Sequence, residues 1–168
     1  MSVLEHREEA PKAVCCMVVT VSDTRTKETD KSGQAMKQLL ECTGHQVLEW
    51  KIVKDEKSQI GQVLYAGVEN PQIDAILFNG GTGICKRDVT IETLRRHFEK
   101  EMPGFGEIFR FLSYTEDIGS AAILSRATAG VVNGTIIYAT PGSTGAVKLA
   151  MEKLILPELP HSVYELRK

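Results

Sequence analysis

Apolar and polar positions follow two rhythms along this chain, and the switches between them mark out its elements. The first rhythm is the short unbroken apolar run. Residues 13–21 (AVCCMVVTV) are apolar at successive positions, so both faces of the element must be buried, as in a strand of a parallel sheet. Residues 46–53 and 73–78 (IDAILF) predict two more strands. Residues 126–132 and 135–139 predict a further pair around Asn133-Gly134, a dipeptide suited to a tight hairpin. The second rhythm is helical. Over 32–42, Met36, Leu39 and Leu40 fall on one side, and Gly44 is placed to end the helix. Ile60, Val63, Leu64 and Val68 recur at helical spacing behind Asp55, which stands where an N-cap belongs. Residues 90–99 predict a helix with Ile91, Leu94 and Phe98 inward, and Pro103-Gly104 opens another through Leu112. Ser143 can cap a helix that buries Val147, Ala150, Met151 and Leu154, and Pro157 starts a short terminal helix.

Strands alternating with helices predict an α/β fold with a mostly parallel sheet covered on both faces. The Asn-Gly hairpin makes that sheet mixed. A chain of 168 residues suits one domain. At that size roughly 70% of the unfolded surface is buried, so no disulfide or structural metal is needed. The domain is expected over 13–168, behind a flexible segment, 1–12, that carries His6-Arg7-Glu8-Glu9 and Pro11.

Composition narrows the partners more than the fold. Lys and Arg number 20 against 22 Asp and Glu, a net charge of -2, which gives no electrostatic case for nucleic acid. No apolar run approaches the ~18 residues of a membrane span, and Met1 to Lys12 lacks an apolar leader core. A cytoplasmic protein without membrane contact is expected. The four cysteines form no Cys-x-x-Cys pair, and His45 and His97 are not spaced as metal ligands. They read as buried or half-buried thiols.

The chemistry is expected where three buried strands end in unusual turns: Ser22-Asp23-Thr24, Asn79-Gly80-Gly81-Thr82-Gly83, and Thr140-Pro141-Gly142-Ser143. Parallel strands would bring all three to one carboxyl edge, where ligands of open α/β sheets bind. Three glycines in five residues allow close approach to backbone amides and can form an anion cradle, with Lys86 and Arg87 nearby. The spacing is neither a dinucleotide fingerprint nor a P-loop, and a plain strand-to-helix turn is the alternative. Asp88, five residues past the loop, reads either as a metal ligand or acid/base group or as an N-cap shared with Thr90. Asp55 has the same two readings. Asp23 either caps its turn or contacts ligand. Arg126 either meets a phosphate or lies on the surface, while Glu107 and Lys148 read as solvated.

Taken in order, Thr20-Val21-Ser22-Asp23, Asn79 to Gly83, Arg87-Asp88-Val89-Thr90, Pro103-Gly104-Phe105-Gly106-Glu107, Leu124-Ser125-Arg126-Ala127 and Pro141-Gly142-Ser143 resemble the MoaB/Mog family of molybdenum cofactor biosynthesis proteins, the molybdopterin-binding domain. The resemblance spans about Val14 to Leu156. It implies a three-layer α/β sandwich and a homotrimer or hexamer. It also implies a site for molybdopterin, with ATP as second substrate and other proteins of the pathway as partners. In the Mog branch the reaction is adenylyl transfer from Mg-ATP to the molybdopterin phosphate. Two family aspartates that support it match Asp55 and Asp88, as catalytic groups and Mg²⁺ ligands. Ser22, Asp23, Asn79, Gly80, Gly81, Thr82, Gly83, Arg87, Ser125, Arg126, Pro141, Gly142 and Ser143 match the ligand-binding motifs. Ile91 and Thr144 stand where family members often have proline, and the wording lies closer to MoaB. A non-catalytic molybdopterin carrier or scaffold is therefore the alternative.

Overall fold

The computed structural model describes residues 10–168. Of the segment expected to be flexible, residues 1–9 lie outside the described residues.

Strands β1 (Cys15–Val21), β2 (Gln46–Val53), β3 (Ala75–Asn79), β4 (Lys100–Glu101), β5 (Thr128–Val132) and β6 (Thr135–Thr140) form one sheet in the order β2-β1-β3-β6-β5-β4. β2, β1, β3 and β6 run parallel, and β5 is antiparallel to both β6 and β4. The sheet is therefore mixed and mostly parallel, as the apolar runs predict. Alternation along the central strands builds two cores, one on each face. Cys16, Val18, Ala75, Leu77, Ile136 and Tyr138 face one core, where α1 (Lys31–Cys42), α4 (Pro103–Glu116), α5 (Thr144–Ala150) and α6 (Leu156–Arg167) contribute Met36, Phe109, Val147 and Leu159. Met17, Val19, Val21, Ile76, Phe78, Ile137 and Ala139 face the other, under Ile60, Leu64, Ile91 and Leu94 of α2 (Lys57–Val68) and α3 (Thr90–Arg95). Two helical layers around one sheet make the three-layer sandwich.

The hairpin forms at Asn133 and Gly134, with φ of 45° and 75°, the two left-handed positions its turn requires. Gly44 ends α1 at φ 88°, as expected. Other boundaries differ from the sequence reading. The helix predicted over 90–99 stops at Arg95. The chain then turns so that Glu99 N–H reaches Val131 O at 2.9 Å and β4 pairs along β5. Pairing the sheet edge outweighs the helical preference of these residues. α4 continues past Leu112 to Glu116, and a 3₁₀ segment at Gly119–Leu124 follows without a periodic signal. The terminal helix is not separate. α5 runs into α6 through a π segment, Met151–Ile155, where the Leu156 N–H reaches Met151 O. The wider turn lets the helix continue into Pro157 and Pro160.

Candidate functional site

The sheet order changes direction at β1, whose neighbours are β2 on one side and β3 on the other. Crevices of open α/β sheets lie at such a point. All three turns singled out from the sequence lie there, joined by the turn after β2. A cavity of about 740 Å³ opens among them, lined by Ser22, Asp23, Asp55, Gly80–Gly83, Asp88, Ser125, Arg126 and Pro141–Ser143. That volume lies within the roughly 300–1,000 Å³ usual for small-molecule sites. Arg25, Ser113, Asp117, Ile118 and Leu124 also line it. Of these five only Leu124 belongs to a motif read from the sequence, and Arg25, Ser113, Asp117 and Ile118 stand outside every one.

The glycine loop has the backbone form that a bound anion would require. Gly80 and Gly81 have φ of 95° and 64°. Gly80 N–H donates to Thr140 O at 3.0 Å, and Thr90 N–H donates to Gly81 O at 3.0 Å. By contrast, the N–H groups of Gly81, Thr82 and Gly83 have no partner among the described residues. Successive unpaired amides in a left-handed turn are donors awaiting an acceptor. Arg126 holds the loop from outside: Nε donates to Thr82 O at 2.8 Å and Nη2 to Gly83 O at 2.7 Å, with Glu92 as ion partner. Drawing those carbonyls to one side turns the N–H groups of the same planar peptides, those of Gly83 and Ile84, to the other.

The expected N-cap roles of Asp55 and Asp88 do not occur. Glu56 and Val89 occupy the N-cap positions, neither with a side-chain cap. Asp88 Oδ2 instead accepts from Cys85 N–H at 3.1 Å, and Asp55 Oδ1 accepts from Val89 N–H at 3.3 Å. Both aspartates line the cavity. Asp23 Oδ1 accepts from Asp55 N–H at 3.3 Å, while its Oδ2 meets Arg87 Nε at 2.5 Å. Arg87 thus braces Asp23 and is absent from the cavity wall. Its guanidinium holds the Asp23 carboxyl below the usual range.

Asn79 also departs from its expected place. It is fully buried. Its Oδ1 accepts from Ser32 Oγ at 2.8 Å, and its Nδ2 donates to Thr20 Oγ1 at 3.0 Å. Its side chain belongs to a buried polar floor centred on Asp30, which accepts from Thr20 Oγ1 at 2.6 Å, Gly33 N–H at 3.0 Å and Trp50 Nε1 at 3.2 Å. Asp30 caps α1, a role its position just before the helix could have signalled. Ser143 caps α5 through Ala146 N–H at 3.2 Å, as expected.

A divalent cation can be tested against these donors. Among the described residues no three His, Cys, Asp or Glu side chains gather into a metal cage. Mg²⁺ needs none, since it takes one or two carboxylates and completes its shell with water and phosphate oxygens. Asp55 and Asp88, beside a cradle of free amides, fit that habit. Thr90 Oγ1 is buried without a partner. It crowds Gly81 together with Asp55: an ideal Cβ on Gly81 would lie 2.3 Å from Thr90 Oγ1 and 2.8 Å from Asp55 Oδ1.

Burial, with Asp88 and Asp23 adding repulsion, raises the Asp55 pKa. A carboxyl raised in the folded state stabilises the fold below its unfolded pKa, about 3.9. That stability is lost as pH rises through the folded value. Asp55→Asn retains an oxygen for Val89 and removes the charge. The metal-free variant is expected to melt above the wild type at pH 7, with the difference vanishing below about pH 3.9. Thermal melts across that range check it, and a variant that melts lower at pH 7 contradicts it.

Comparison with known proteins finds relatives over nearly the whole chain. The family described as "Probable molybdopterin binding domain" matches residues 17–161. Molybdenum cofactor biosynthesis protein B of Bacillus subtilis is 63% identical over 168 residues, covering 100% of this chain and 99% of that protein. A crystal structure of molybdenum cofactor biosynthesis protein B superposes with a TM-score of 0.92 at 56% identity, covering 94% of this chain and 98% of that one. The tungsten cofactor synthesizing protein MoaB from Pyrococcus furiosus gives 0.85 at 37% identity, covering 95% and 100%.

Proposed function

We propose, from the premise that this chain belongs to the molybdopterin-binding domain family of molybdenum cofactor biosynthesis proteins, that its cavity binds molybdopterin and adenylylates it with Mg-ATP. The observation that carries the proposal is the row of unpaired amides at Gly81–Gly83 facing two aspartates that cap no helix.

In the proposed reaction an oxygen of the pterin phosphate attacks the α-phosphorus of ATP. A new P–O bond forms, the bond to the bridging oxygen breaks, and pyrophosphate leaves with the electron pair. Most of the catalysis is positioning and charge compensation. When bound, Mg²⁺ supplies positive charge against the repulsion of two phosphorylated substrates. Asp55 and Asp88 would hold it. The amides of Gly81 to Gly83 receive phosphoryl oxygens, Arg126 keeps the Gly83 amide aligned, and Asp23 fixes the Asp55 backbone. No nucleophilic side chain is required. A carrier that only binds the pterin needs no carboxylates beside an anion, which favours the enzyme. Titration of the metal-free protein with molybdopterin tests the binding half. Saturable binding is expected, and none would remove the proposal.

The same reading includes self-assembly as a trimer or hexamer. Ile108, Phe111 and Tyr114 on α4, with Ile118, Ile123 and Leu124 beyond it, are 47–82% exposed. So many exposed large apolar groups mark an interaction face, and a second copy of this chain is its proposed occupant. Ile118 and Leu124 also line the cavity, so a neighbouring copy would sit at its mouth. Phe111→Asp is expected to shift sedimentation toward the monomer at micromolar concentration with its melting temperature little changed. A wild type that sediments only as monomer would contradict the assembly. The unpaired thiols of Cys15, Cys16, Cys42 and Cys85 are consistent with a cytoplasmic place, and no described helix is long and apolar enough to cross a membrane.

A further inference from the structure

Four aspartates and two arginines line the cavity, so its cations are outnumbered where an anion must enter. The two arginines are not equivalent. The Arg126 fork is occupied by the carbonyls of Thr82 and Gly83 and by the Glu92 carboxylate. Arg25 is differently placed. Its Nη1 meets Ser32 Oγ at 2.5 Å and Asp30 Oδ1 at 3.5 Å, and its Nη2 donates to Gly142 O at 2.9 Å. Nε–H and one Nη2–H have no partner among the described residues.

The nearest counter-charge is Asp30, whose Oδ1 lies 3.5 Å from Nη1. Asp30 is wholly buried, and it also accepts from Thr20, Ser32, Gly33 and Trp50. Those four donors are neutral, so Asp30 remains the ion partner that fixes the guanidinium plane, and Arg25 offers the cavity its Nε–H and remaining Nη2–H donors. Its guanidinium also lies at the meeting of the three turns. An ideal Cβ on Gly142 would sit 3.8 Å from Arg25 Nη1 and 3.1 Å from Gly80 Cα, so the guanidinium lies close to the start of the glycine loop. A planar fork with two free donors, held from behind, matches two oxygens of one phosphoryl group.

The geometry points to Arg25 as the phosphoryl-recognition residue of the cavity, with Asp30 and Ser32 as the positioning residues that hold its fork. The inference rests on the proposed function for its choice of substrates. The shared chemistry is a phosphoryl group, carried by either molybdopterin or ATP. Arg25 then divides the cavity into a cationic end beside Gly142 and a carboxylate end at Asp55 and Asp88.

The test is calorimetric titration of metal-free wild type, Arg25→Gln and Arg25→Lys with inorganic pyrophosphate, ATP and molybdopterin. Arg25→Gln is expected to weaken pyrophosphate about 10- to 100-fold, the range for lost hydrogen bonds to a charged group. Arg25→Lys, which retains a point charge but no fork, is expected to fall between the two, and it carries the test if the glutamine variant does not fold. Added weakening of molybdopterin alone assigns the fork to the pterin phosphate, and of ATP alone to the nucleotide. A wild type that binds pyrophosphate but neither molybdopterin nor ATP, with pyrophosphate weakened in the variants, supports the anion site while removing the proposed function above it. Variants that bind all three as the wild type does, or a wild type that binds no pyrophosphate, would overturn the inference.

Discussion

Asp88→Asn is expected to lower adenylyl transfer by about 10²–10³-fold, the usual effect of removing one preorganised electrostatic group from a reacting centre. The substitution is nearly silent in shape. An amide oxygen can still accept from Cys85 N–H, the bond that Asp88 Oδ2 makes at 3.1 Å, so the loop should keep its form and melting temperature. What disappears is a negative charge in the wall of the cavity. Such a charge is unfavourable to a bound anion unless a cation lies between them. Pterin binding without metal should therefore hold or improve, while transfer with Mg²⁺ collapses. Measuring product and pterin affinity for both proteins, with and without Mg²⁺, separates the two effects. Full turnover by the variant would remove Asp88 from the mechanism and leave Asp55 as the carboxylate to defend.

Gly81→Ala should damage both the cradle and the carboxylate. Gly81 sits at φ 64°, a left-handed conformation that costs a side-chain-bearing residue about 1–3 kcal/mol. Its new Cβ would also lie 2.3 Å from Thr90 Oγ1 and under 3.0 Å from both Asp55 oxygens. Something must move, and the candidates are the Asp55 carboxylate and the loop itself. Misplacement of a reacting group by about 1 Å costs on the order of 10²-fold. We expect a lower melting temperature, weaker molybdopterin binding and transfer reduced by at least that factor. Gly83→Ala is a useful contrast. Its φ is not left-handed, and its Cβ would press on Asp88 Oδ2 at 2.6 Å. Its damage should therefore fall on transfer more than on stability. Equal turnover by the Gly81 variant and the wild type would separate the loop from the chemistry.

The fold was legible where burial is two-sided or strictly periodic. β2 runs over the predicted 46–53, and the helix carrying Ile60, Val63, Leu64 and Val68 forms with all four buried. Legibility failed where partners distant in sequence decide the outcome. Nothing local says that residues 96–101 will leave a helix to pair with β5, because the reward is a sheet edge more than twenty residues away. The site followed the same division. The convergence of three turns could be argued from parallel strands, and Asp55 and Asp88 from the family resemblance. From spacing alone both looked like N-caps, since a carboxylate one or two residues before a helix suits either role. Asn79 shows the reverse. It belongs to the motif, yet its side chain serves the buried floor under Asp30. Arg25 was missed because its meaning lies in what it touches. Ser32 is seven residues away and Gly142 is 117.

The central claim is that this cavity performs transfer as well as binding. The most direct measurement is to incubate purified wild-type protein with molybdopterin and Mg-ATP and to look for adenylylated pterin and released pyrophosphate. Both are expected, in equal amounts and dependent on Mg²⁺. Saturable molybdopterin binding with neither product would contradict it and leave the carrier.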